Sequence, residues 1–188
     1  KPKSIYYFRD GVSDGQFQQV LNTELSAIKE ACRALQPDYN PRITFLVVQK
    51  RHHTRFFPTP KSGREIEGKF RNLPAGTCVD TDVVRPDSFD FYLLSHAAIQ
   101  GVSRPTRYRM IFDENQNTDD DIEILTFYLC HLFARCNRSV SYPAPTYYAH
   151  LAAARAKNYA DRDLVAHITE NEIVDLKVLD KFFRNNPM

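Results

Sequence analysis

The sequence predicts an α/β protein with a mixed sheet flanked by helices, and three observations support this fold class. Strand-like apolar runs alternate with segments whose apolar residues recur every three or four positions. The run at residues 42–48 is apolar almost throughout, which is typical of a strand covered on both faces. The length of 188 residues suits one domain with a substantial core and is short for two.

The first part of the chain predicts a strand, a helix and a second strand. Residues 4–8 form a β-type run that is ended by the turn at residues 9–11. Apolar side chains then recur at helical spacing through residues 17–35, and Pro37 ends that pattern. Residues 42–48 form the second strand.

The second part predicts a long surface insertion, two strands and two helices. Residues 56–75 are rich in Pro, Gly and charge, which indicates loop structure. Strands are expected at residues 89–94 and 107–112, and the alternating pattern of the latter indicates an edge strand. Helices are expected from Asp119 onward and over residues 145–159. The buried side of the first of these helices is expected to consist of Ile122, Leu125, Leu129 and Leu132.

The charge distribution restricts how this chain could bind a polyanion. The formal net charge is only +2 at pH 7, so bulk charge does not drive nucleic-acid binding. The cations are clustered instead, at residues 50–55, 104–109 and 135–138. Any such binding must therefore come from local patches.

The four cysteines and the chain ends bear on compartment. No two cysteines form a CxxC pair, so a zinc site is not expected, and Cys32 and Cys130 lie on apolar helix faces. Reduced thiols of a cytosolic or nuclear protein are expected. There is no signal-peptide pattern and no run long enough to span a bilayer. The start without Met, directly before a strand, indicates a piece of a longer protein.

The densest basic cluster, residues 49–55, directly follows the buried strand and contains three cations and two histidines. A strand that ends in such a cluster presents positive charge at a sheet edge, where open α/β sheets place ligand sites. Guanidinium and imidazole groups suit phosphates and stacked bases. A polyanion site is therefore predicted, with a solvated basic loop as the alternative.

Two further residues are candidates for metal chemistry. Asp10 follows the first strand, where a carboxylate can bind a hard cation; the alternative is a turn aspartate. His150 lies early in the last helix, five residues before Arg155, and could otherwise be a core histidine. No Ser/His/Asp order, phosphate-binding glycine loop or HExxH motif is present, which argues against protease, esterase or kinase activity.

Four motifs resemble the C-terminal part of the PIWI domain of eukaryotic Argonaute proteins. They are residues 7–17 (YFRDGVSDGQF), 47–57 (VVQKRHHTRFF), 95–101 (SHAAIQG) and 136–145 (CNRSVSYPAP), in collinear order. The resemblance implies a ribonuclease H-like fold. It also implies that residues 1–188 are the C-terminal portion of one PIWI domain, with a core of about residues 4–159 and a polar tail at 160–188.

The resemblance implies guide-RNA binding and, in slicing members of the family, cleavage of target RNA by two-metal-ion hydrolysis with Mg²⁺ or Mn²⁺. Asp10 and His150 correspond to two of the four catalytic, metal-binding residues. The first Asp and the Glu of that set are expected before residue 1, so we expect this chain alone to be inactive. The alternative is a slicing-incompetent module that binds guides and represses through protein partners.

The resemblance also assigns guide-binding residues. Arg155 corresponds to an arginine that reaches towards the 5′ phosphate of the guide, and Phe133 replaces a phosphate-contacting Tyr of many relatives. Gln100 and Arg104 are weaker candidates in the same groove. The residues expected to contact phosphates of the first half of the guide are Lys50, Arg51, His96, Arg135, Ser141 and Tyr147.

The implied partners are a small guide RNA with a 5′ phosphate, a complementary target RNA, and the remainder of the same Argonaute, namely the MID domain and the N-terminal part of PIWI. Tryptophan-rich silencing proteins are a further possibility at Leu35 and Tyr39, where Gln36 replaces a common acidic residue. Residues 186–188 resemble the family's hydrophobic C-terminal tail cut short. A cytoplasmic location, with a nuclear pool as an option, is expected, and no membrane contact.

Overall fold

The computed structural model describes residues 1–59, 66 and 71–159, and it has a five-stranded mixed sheet with the order β1-β2-β5-β4-β3. The first two strands are parallel, and every other neighbouring pair is antiparallel. The predicted α/β class with a mixed sheet is therefore confirmed. The strands are β1 (Ser4–Asp10), β2 (Arg42–Gln49), β3 (Thr77–Val79), β4 (Asp90–Leu94) and β5 (Thr106–Asp113).

A continuous helical segment connects the two parallel strands. It begins with a 3₁₀ turn (Asp14–Gln16), continues as α1 (Phe17–Val20) through a π-helical turn (Leu21–Leu25), and ends as α2 (Ser26–Leu35). The start is a capping box in which the side chains of Ser13 and Gln16 pair. The single long helix that the sequence predicts is thus present, with a π turn in its middle.

Two more helices follow β5. The first, α3 (Asp119–Leu129), starts at a capping box in which the Thr118 hydroxyl accepts a hydrogen bond from the Asp121 backbone N–H. The second, α4 (Ala144–Tyr159), starts after Pro143, whose carbonyl accepts from the N–H groups of Thr146 and Tyr147. The last helix agrees closely with its prediction.

The core lies on both faces of β2, as its continuous apolar run predicts. Phe45 and Val47 pack with Val20 and other side chains of the first helical segment. Leu46 and Val48 face the opposite way, and their cluster includes Ile122 of α3. Strand β2 is therefore covered on both faces by described residues, and the chain reaches the surface just beyond its end, at Arg51.

Several element-level predictions were wrong. Strand β5 is not an edge strand, because it pairs with β2 on one side and β4 on the other. The short strand β3 was not predicted at all. Leu132 lies beyond the end of α3 and is 63% exposed, so it does not line the buried side of that helix. By contrast, the loop prediction for residues 56–75 agrees with the structure where these residues are described: residues 56–59, 66 and 71–75 are loop apart from an isolated bridge at Asn72.

The chain divides into two compact units, and the division falls inside α4. The first unit is Lys1–Tyr147, and the second begins at Tyr148. The predicted polar tail, residues 160–188, lies outside the described residues. Within the described part of the chain, no helix is both long and apolar enough to cross a membrane.

Candidate nucleic-acid interface

One end of the sheet gathers the termini of four strands. Asp10 of β1 lies beside Val48 of β2, and Gln49 lies beside Arg107 of β5. Because β5 and β4 are antiparallel, the end of β4 meets the start of β5 at the pair Leu93 and Thr106. The residues that directly follow or precede these termini, at positions 50–51, 96 and 104, are consequently placed at the same end of the sheet.

The segment before α4 crosses this end of the sheet and is held there by two hydrogen bonds. The Ser95 hydroxyl donates to the Val140 carbonyl at 2.6 Å. The Thr106 hydroxyl donates to the Ser141 carbonyl at 2.6 Å. Both hydroxyl-bearing residues are fully buried, so the backbone of this segment is tied to the ends of β4 and β5.

Lys50 is the central cation of this region. Its ammonium nitrogen lies 5.0 Å from the ring centroid of Tyr142. Burial and the neighbouring positive charge of Arg104 lower the pKa of Lys50, whereas the negative charge of Asp10 acts in the opposite direction. A lysine that is half-buried beside another cation favours any ligand that brings negative charge.

His96 follows β4 and is placed close to the same lysine. Burial and the positive charge of Lys50 lower its pKa. The ring is therefore uncharged at neutral pH, and a neutral imidazole can donate one N–H to a phosphate oxygen. Its Nδ1 atom is buried and has no hydrogen-bond partner among the described residues.

Arg51 and Arg104 are exposed and complete a group that we call the open cluster: Lys50, Arg51, His96 and Arg104. The charge of Arg104 also lowers the pKa of His52, after the larger effect of burial. Among the described residues of the first unit, no salt bridge involves any cation of the open cluster. The cluster thus carries positive charge that an external anion can neutralise.

The charged side chains of a second group are paired with one another, and we call this group the closed network: Asp14, Gln49, Arg85, Asp90 and Arg107. Gln49 directly precedes Lys50 of the open cluster. Arg107 donates to Asp90 at 2.6 Å and to Gln49 at 3.3 Å. Arg85 forms a salt bridge of 3.0 Å with Asp14. This network links the start of the first helical segment to β2, β4 and β5.

Asp10 is positioned by the turn that follows it. Gly11 has φ of 79°, a left-handed conformation that favours glycine, and its N–H bonds the Val48 carbonyl at 3.4 Å. The Gln49 side chain donates to the Val12 carbonyl at 2.7 Å. Asp10 is also close enough to Lys50 to raise its pKa, so the carboxylate and the open cluster belong to one electrostatic field.

The donor chemistry of Asp10 fits a divalent metal ion only in part. A carboxylate oxygen is a hard donor of the kind Mg²⁺ prefers, and Mg²⁺ sites often use one or two carboxylates with water and substrate phosphates. However, the described residues contain no group of three or more His, Cys, Asp or Glu side chains that could hold a metal ion. Asp10 therefore supplies one ligand rather than a complete site.

His150 and Arg155 lie on α4, in the second unit of the chain. Both side chains are exposed, so His150 is not a buried core histidine of this unit. Five helical positions separate them, which corresponds to about 7.5 Å along the axis and to different sides of the helix. Their predicted roles at a metal ion and at a 5′ phosphate remain predictions.

Two other predicted phosphate contacts, Ser141 and Tyr147, lie together. The Ser141 hydroxyl and the Tyr147 hydroxyl are 3.0 Å apart and share a hydrogen bond. The ring of Phe133 stacks on Tyr147 with centroids 4.8 Å apart, so this departure from the family pattern keeps an aromatic contact. Gln100 lies on an exposed bend and Arg135 on an exposed turn.

The predicted partner surface consists of Leu35, the last residue of α2, and Tyr39 in the segment that follows it. Leu35 is 73% exposed, so the last position of the apolar pattern at residues 17–35 does not face the core. Tyr39 is half-buried: its hydroxyl donates to the Pro2 carbonyl at 3.0 Å, and the Lys1 ammonium lies 5.3 Å from its ring centroid. Of these two residues, Leu35 is the exposed one.

Sequence reasoning missed Tyr142 and the closed network. Tyr142 is separated by 92 positions from Lys50, and Asp90 by 17 from Arg107, so spacing along the chain does not reveal either pair. One local signal was available: Pro143 restricts the preceding residue to an extended backbone, which favours a fixed side-chain direction for Tyr142.

The chain matches the Piwi domain family over residues 1–161. Among curated proteins it is 52% identical over 163 residues to "Protein argonaute 5" of Arabidopsis thaliana, which covers 87% of this chain and 16% of that protein. It is also 52% identical over 161 residues to "Protein argonaute 11" of Oryza sativa subsp. japonica, covering 86% of this chain and 18% of that protein. The chain thus spans less than a fifth of these relatives.

Solved structures show the same fold. The C-terminal lobe of a budding yeast Argonaute has a TM-score of 0.75 and 36% identity, covering 82% of this chain and 33% of that one. Kluyveromyces polysporus Argonaute with a guide RNA has a TM-score of 0.74 and 38% identity, covering 82% and 20%. Drosophila Piwi has a TM-score of 0.66 and 29% identity, covering 79% and 20%.

Proposed function

Because this chain belongs to the Piwi domain family, we propose that it forms the guide-binding and catalytic portion of an Argonaute protein that acts in RNA-mediated gene silencing. The observation that carries the proposal is the open cluster, whose cations form no salt bridge among the described residues and lie at the end of β2, a strand covered on both faces. A relative of the same fold was solved with a guide RNA, which supports RNA as the polyanion.

The open cluster suits a nucleic-acid backbone better than base edges. Lys50 and Arg51 offer charge, which neutralises phosphates regardless of sequence. His96 is uncharged at neutral pH and offers an N–H donor instead. The hydroxyls of Ser141 and Tyr147 share one hydrogen bond, so the pair can donate one further O–H to the backbone of the RNA. Binding is therefore expected to depend on the length and phosphorylation of the guide and little on its sequence.

We propose that the full-length protein also cleaves target RNA, with Asp10 and His150 as two residues of the catalytic set. Divalent metal ions, when bound, would activate water and stabilise the leaving oxygen. Asp10 would contribute a hard oxygen ligand, and the turn at Gly11 together with Gln49 would keep its carboxylate at the end of β1. The remaining acids would come from parts of the relatives that this chain does not span.

An Asp10→Asn variant of the full-length protein tests this proposal. The variant keeps the size of the side chain and removes the charge that holds a cation. We expect Mg²⁺-dependent cleavage of a complementary target to be lost and guide affinity to change little, because the carboxylate acts in the transition state rather than on the guide. Asp38→Asn, the same change on an exposed loop, is the matched control.

The outcomes separate the candidate functions. Undiminished cleavage by the Asp10→Asn variant would overturn the assignment of Asp10. A wild-type protein that binds guide tightly but never cleaves would support the alternative, a slicing-incompetent module that represses through protein partners. A wild-type protein that does not bind guide RNA at all would refute both.

A further inference from the structure

Tyr142 occupies a position between two predicted RNA contacts. On one side, its ring centroid lies 5.0 Å from the Lys50 ammonium nitrogen. On the other side, its ring meets the ring of Tyr147 edge to face, with centroids 5.5 Å apart. Tyr142 itself is not among the predicted phosphate contacts, yet both of its neighbours are residues through which the chain is proposed to hold its guide.

The backbone on both sides of Tyr142 is held in place by hydrogen bonds. The two preceding carbonyls, of Val140 and Ser141, accept the hydrogen bonds from Ser95 and Thr106 described above. The next residue, Pro143, is buried, and its carbonyl accepts from the first turn of α4. With its backbone fixed on both sides and its ring in T-shaped contact with the ring of Tyr147, Tyr142 presents a constant face to Lys50.

The ring face of Tyr142 stabilises the charged form of Lys50. Its stem is half-buried and Arg104 repels its charge, and both effects disfavour the ammonium at this position. An aromatic face attracts a cation through its quadrupole, and the attraction grows where water is partly excluded. The ring therefore offsets the cost of keeping the charge at the end of the sheet. Otherwise a long, flexible lysine would extend into solvent.

We infer that Tyr142 is a positioning residue for guide binding, and that its ring face holds the Lys50 ammonium where it meets a phosphate of the RNA backbone. The inference rests on the proposed function and concerns one contact of the same interface. Burial and the nearby Asp10 raise the pKa of Tyr142 to about 12, so its hydroxyl stays a neutral phenol and brings no negative charge that could attract the lysine.

Two substitutions separate the ring from the hydroxyl. Tyr142→Phe keeps the face and is expected to bind guide RNA within about twofold of the wild type. Tyr142→Leu removes the face and is expected to weaken binding about fivefold, the scale of one partly desolvated cation–π contact. Tyr128→Leu, the same change at a 63% exposed site on α3, is the matched control and should change nothing.

A double-mutant cycle with Lys50→Ala is the decisive test, made on the full-length protein with a 5′-phosphorylated single-stranded RNA. Tyr142→Leu should weaken binding about fivefold when Lys50 is present and by less than about 1.5-fold when Lys50 is replaced by Ala, because the ring acts through the lysine. Thermal unfolding of each variant checks the fold. If the Leu variant does not fold, Tyr142→Met takes its place, since it fills similar volume without an aromatic face.

Each result has one meaning. Equal losses from Tyr142→Leu in both backgrounds would overturn the inference alone, because the ring would then act independently of Lys50. A Phe variant as weak as the Leu variant would also overturn it, since the hydroxyl would be the acting group. If Lys50→Ala binds RNA as tightly as the wild type, the proposed function of the open cluster fails, and the inference fails with it.

Discussion

The open cluster and the closed network are neighbours in the sequence, yet they use basic side chains in opposite ways. Lys50 directly follows Gln49, and Arg104 lies three residues before Arg107. In the closed network, burial disfavours the charge of Arg107, but hydrogen bonding and the charges of Asp90 and Asp14 raise its pKa above the ordinary value. In the open cluster, the pKa of Lys50 is lowered instead.

This difference separates stability from binding. A basic side chain that is already ion-paired with carboxylates of the same protein contributes to the fold. It offers little to an anionic ligand, because its charge is already neutralised. A cation kept near other cations contributes little to the fold and gains most when a polyanion arrives. Substitutions in the closed network should therefore change the free energy of unfolding, and substitutions in the open cluster should change RNA affinity.

The largest effect on stability is expected at Asp90. Its side chain is 1% exposed and accepts from Arg107 at 2.6 Å and 3.0 Å. Asp90→Asn should lower the free energy of unfolding by about 3 kcal/mol, because it leaves a largely buried guanidinium without its main partner. Denaturant unfolding measures this, with the exposed Asp38→Asn as control. A loss no larger than that of the control would contradict the closed network.

A smaller effect is expected at Asp14, which is partly exposed. Burial disfavours its charge, but the hydrogen bond from Gln49 and the charges of Arg107 and Arg85 outweigh this and lower its pKa. A carboxyl whose pKa is lowered by folding stabilises the fold above its unfolded pKa, and this contribution is lost as pH falls through the folded value. Asp14→Asn should therefore cost up to about 1 kcal/mol at pH 7.

The pH dependence checks the Asp14 prediction. The difference in stability between wild type and Asp14→Asn should shrink as pH falls below about 4, where the unfolded carboxyl takes up its proton. A difference that stayed constant from pH 7 to pH 3 would mean that the charge of Asp14 does not act.

The smallest effect concerns His96 of the open cluster. Because its pKa is lowered, the ring is neutral at pH 7 and becomes a further cation only on acidification. RNA affinity should rise on going from pH 7.5 to pH 5.5, and more in the wild type than in His96→Asn, by up to about fivefold. The exposed His53→Asn is the matched control. An identical pH profile for wild type and His96→Asn would rule out this role.

The same acidification should weaken the fold. A histidine whose pKa is lowered by folding favours the neutral form, so its contribution to stability is present above the unfolded pKa of about 6.5 and declines as pH falls below it. Affinity and stability should therefore change in opposite directions over this range, which distinguishes His96 from a group that acts on folding alone.

Much of the fold followed from local sequence, and the reasons are visible in β2. The run at residues 42–48 is apolar almost throughout, which predicts a strand buried on both faces. The dense basic cluster that directly follows it predicts that the chain reaches solvent at the end of this strand. The helices followed from periodicity and from caps such as Thr118. These features depend on residues within one turn or one strand, which sequence patterns report well.

The errors came from long-range pairing. Strand β5 alternates because Arg107 and Arg109 interrupt its apolar residues, and alternation is typical of a half-exposed strand. In the structure Arg107 is satisfied by Asp90, and the Arg109 guanidinium lies 5.0 Å from the ring centroid of Phe17, so the strand is central in spite of its charges. A pattern shows that a residue is charged and does not show which distant partner covers it.

In the candidate site, too, the features that depend on local sequence could be predicted and those that depend on long-range contacts could not. The open cluster could be predicted from two motifs and the family resemblance. The position of the Tyr142 ring, by contrast, depends on hydrogen bonds that Ser95 and Thr106 donate to the two residues before Tyr142, which are 35 to 45 positions away in the sequence. Such tertiary contacts leave no periodic pattern in the sequence. The sequence therefore predicts Lys50 as a phosphate contact but does not show that Tyr142 lies against it.

The salt dependence of guide binding tests the central claim most directly. Binding of 5′-phosphorylated single-stranded RNAs of several sequences should be measured from 50 to 200 mM salt for the wild type and for the double variant Lys50→Ala, Arg51→Ala. Removing two phosphate contacts should weaken binding of every sequence alike and reduce the slope of log affinity against log salt by about 1.4, with unfolding unchanged. Lys3→Ala is the control. An unchanged slope, or a loss confined to particular sequences, would contradict the account.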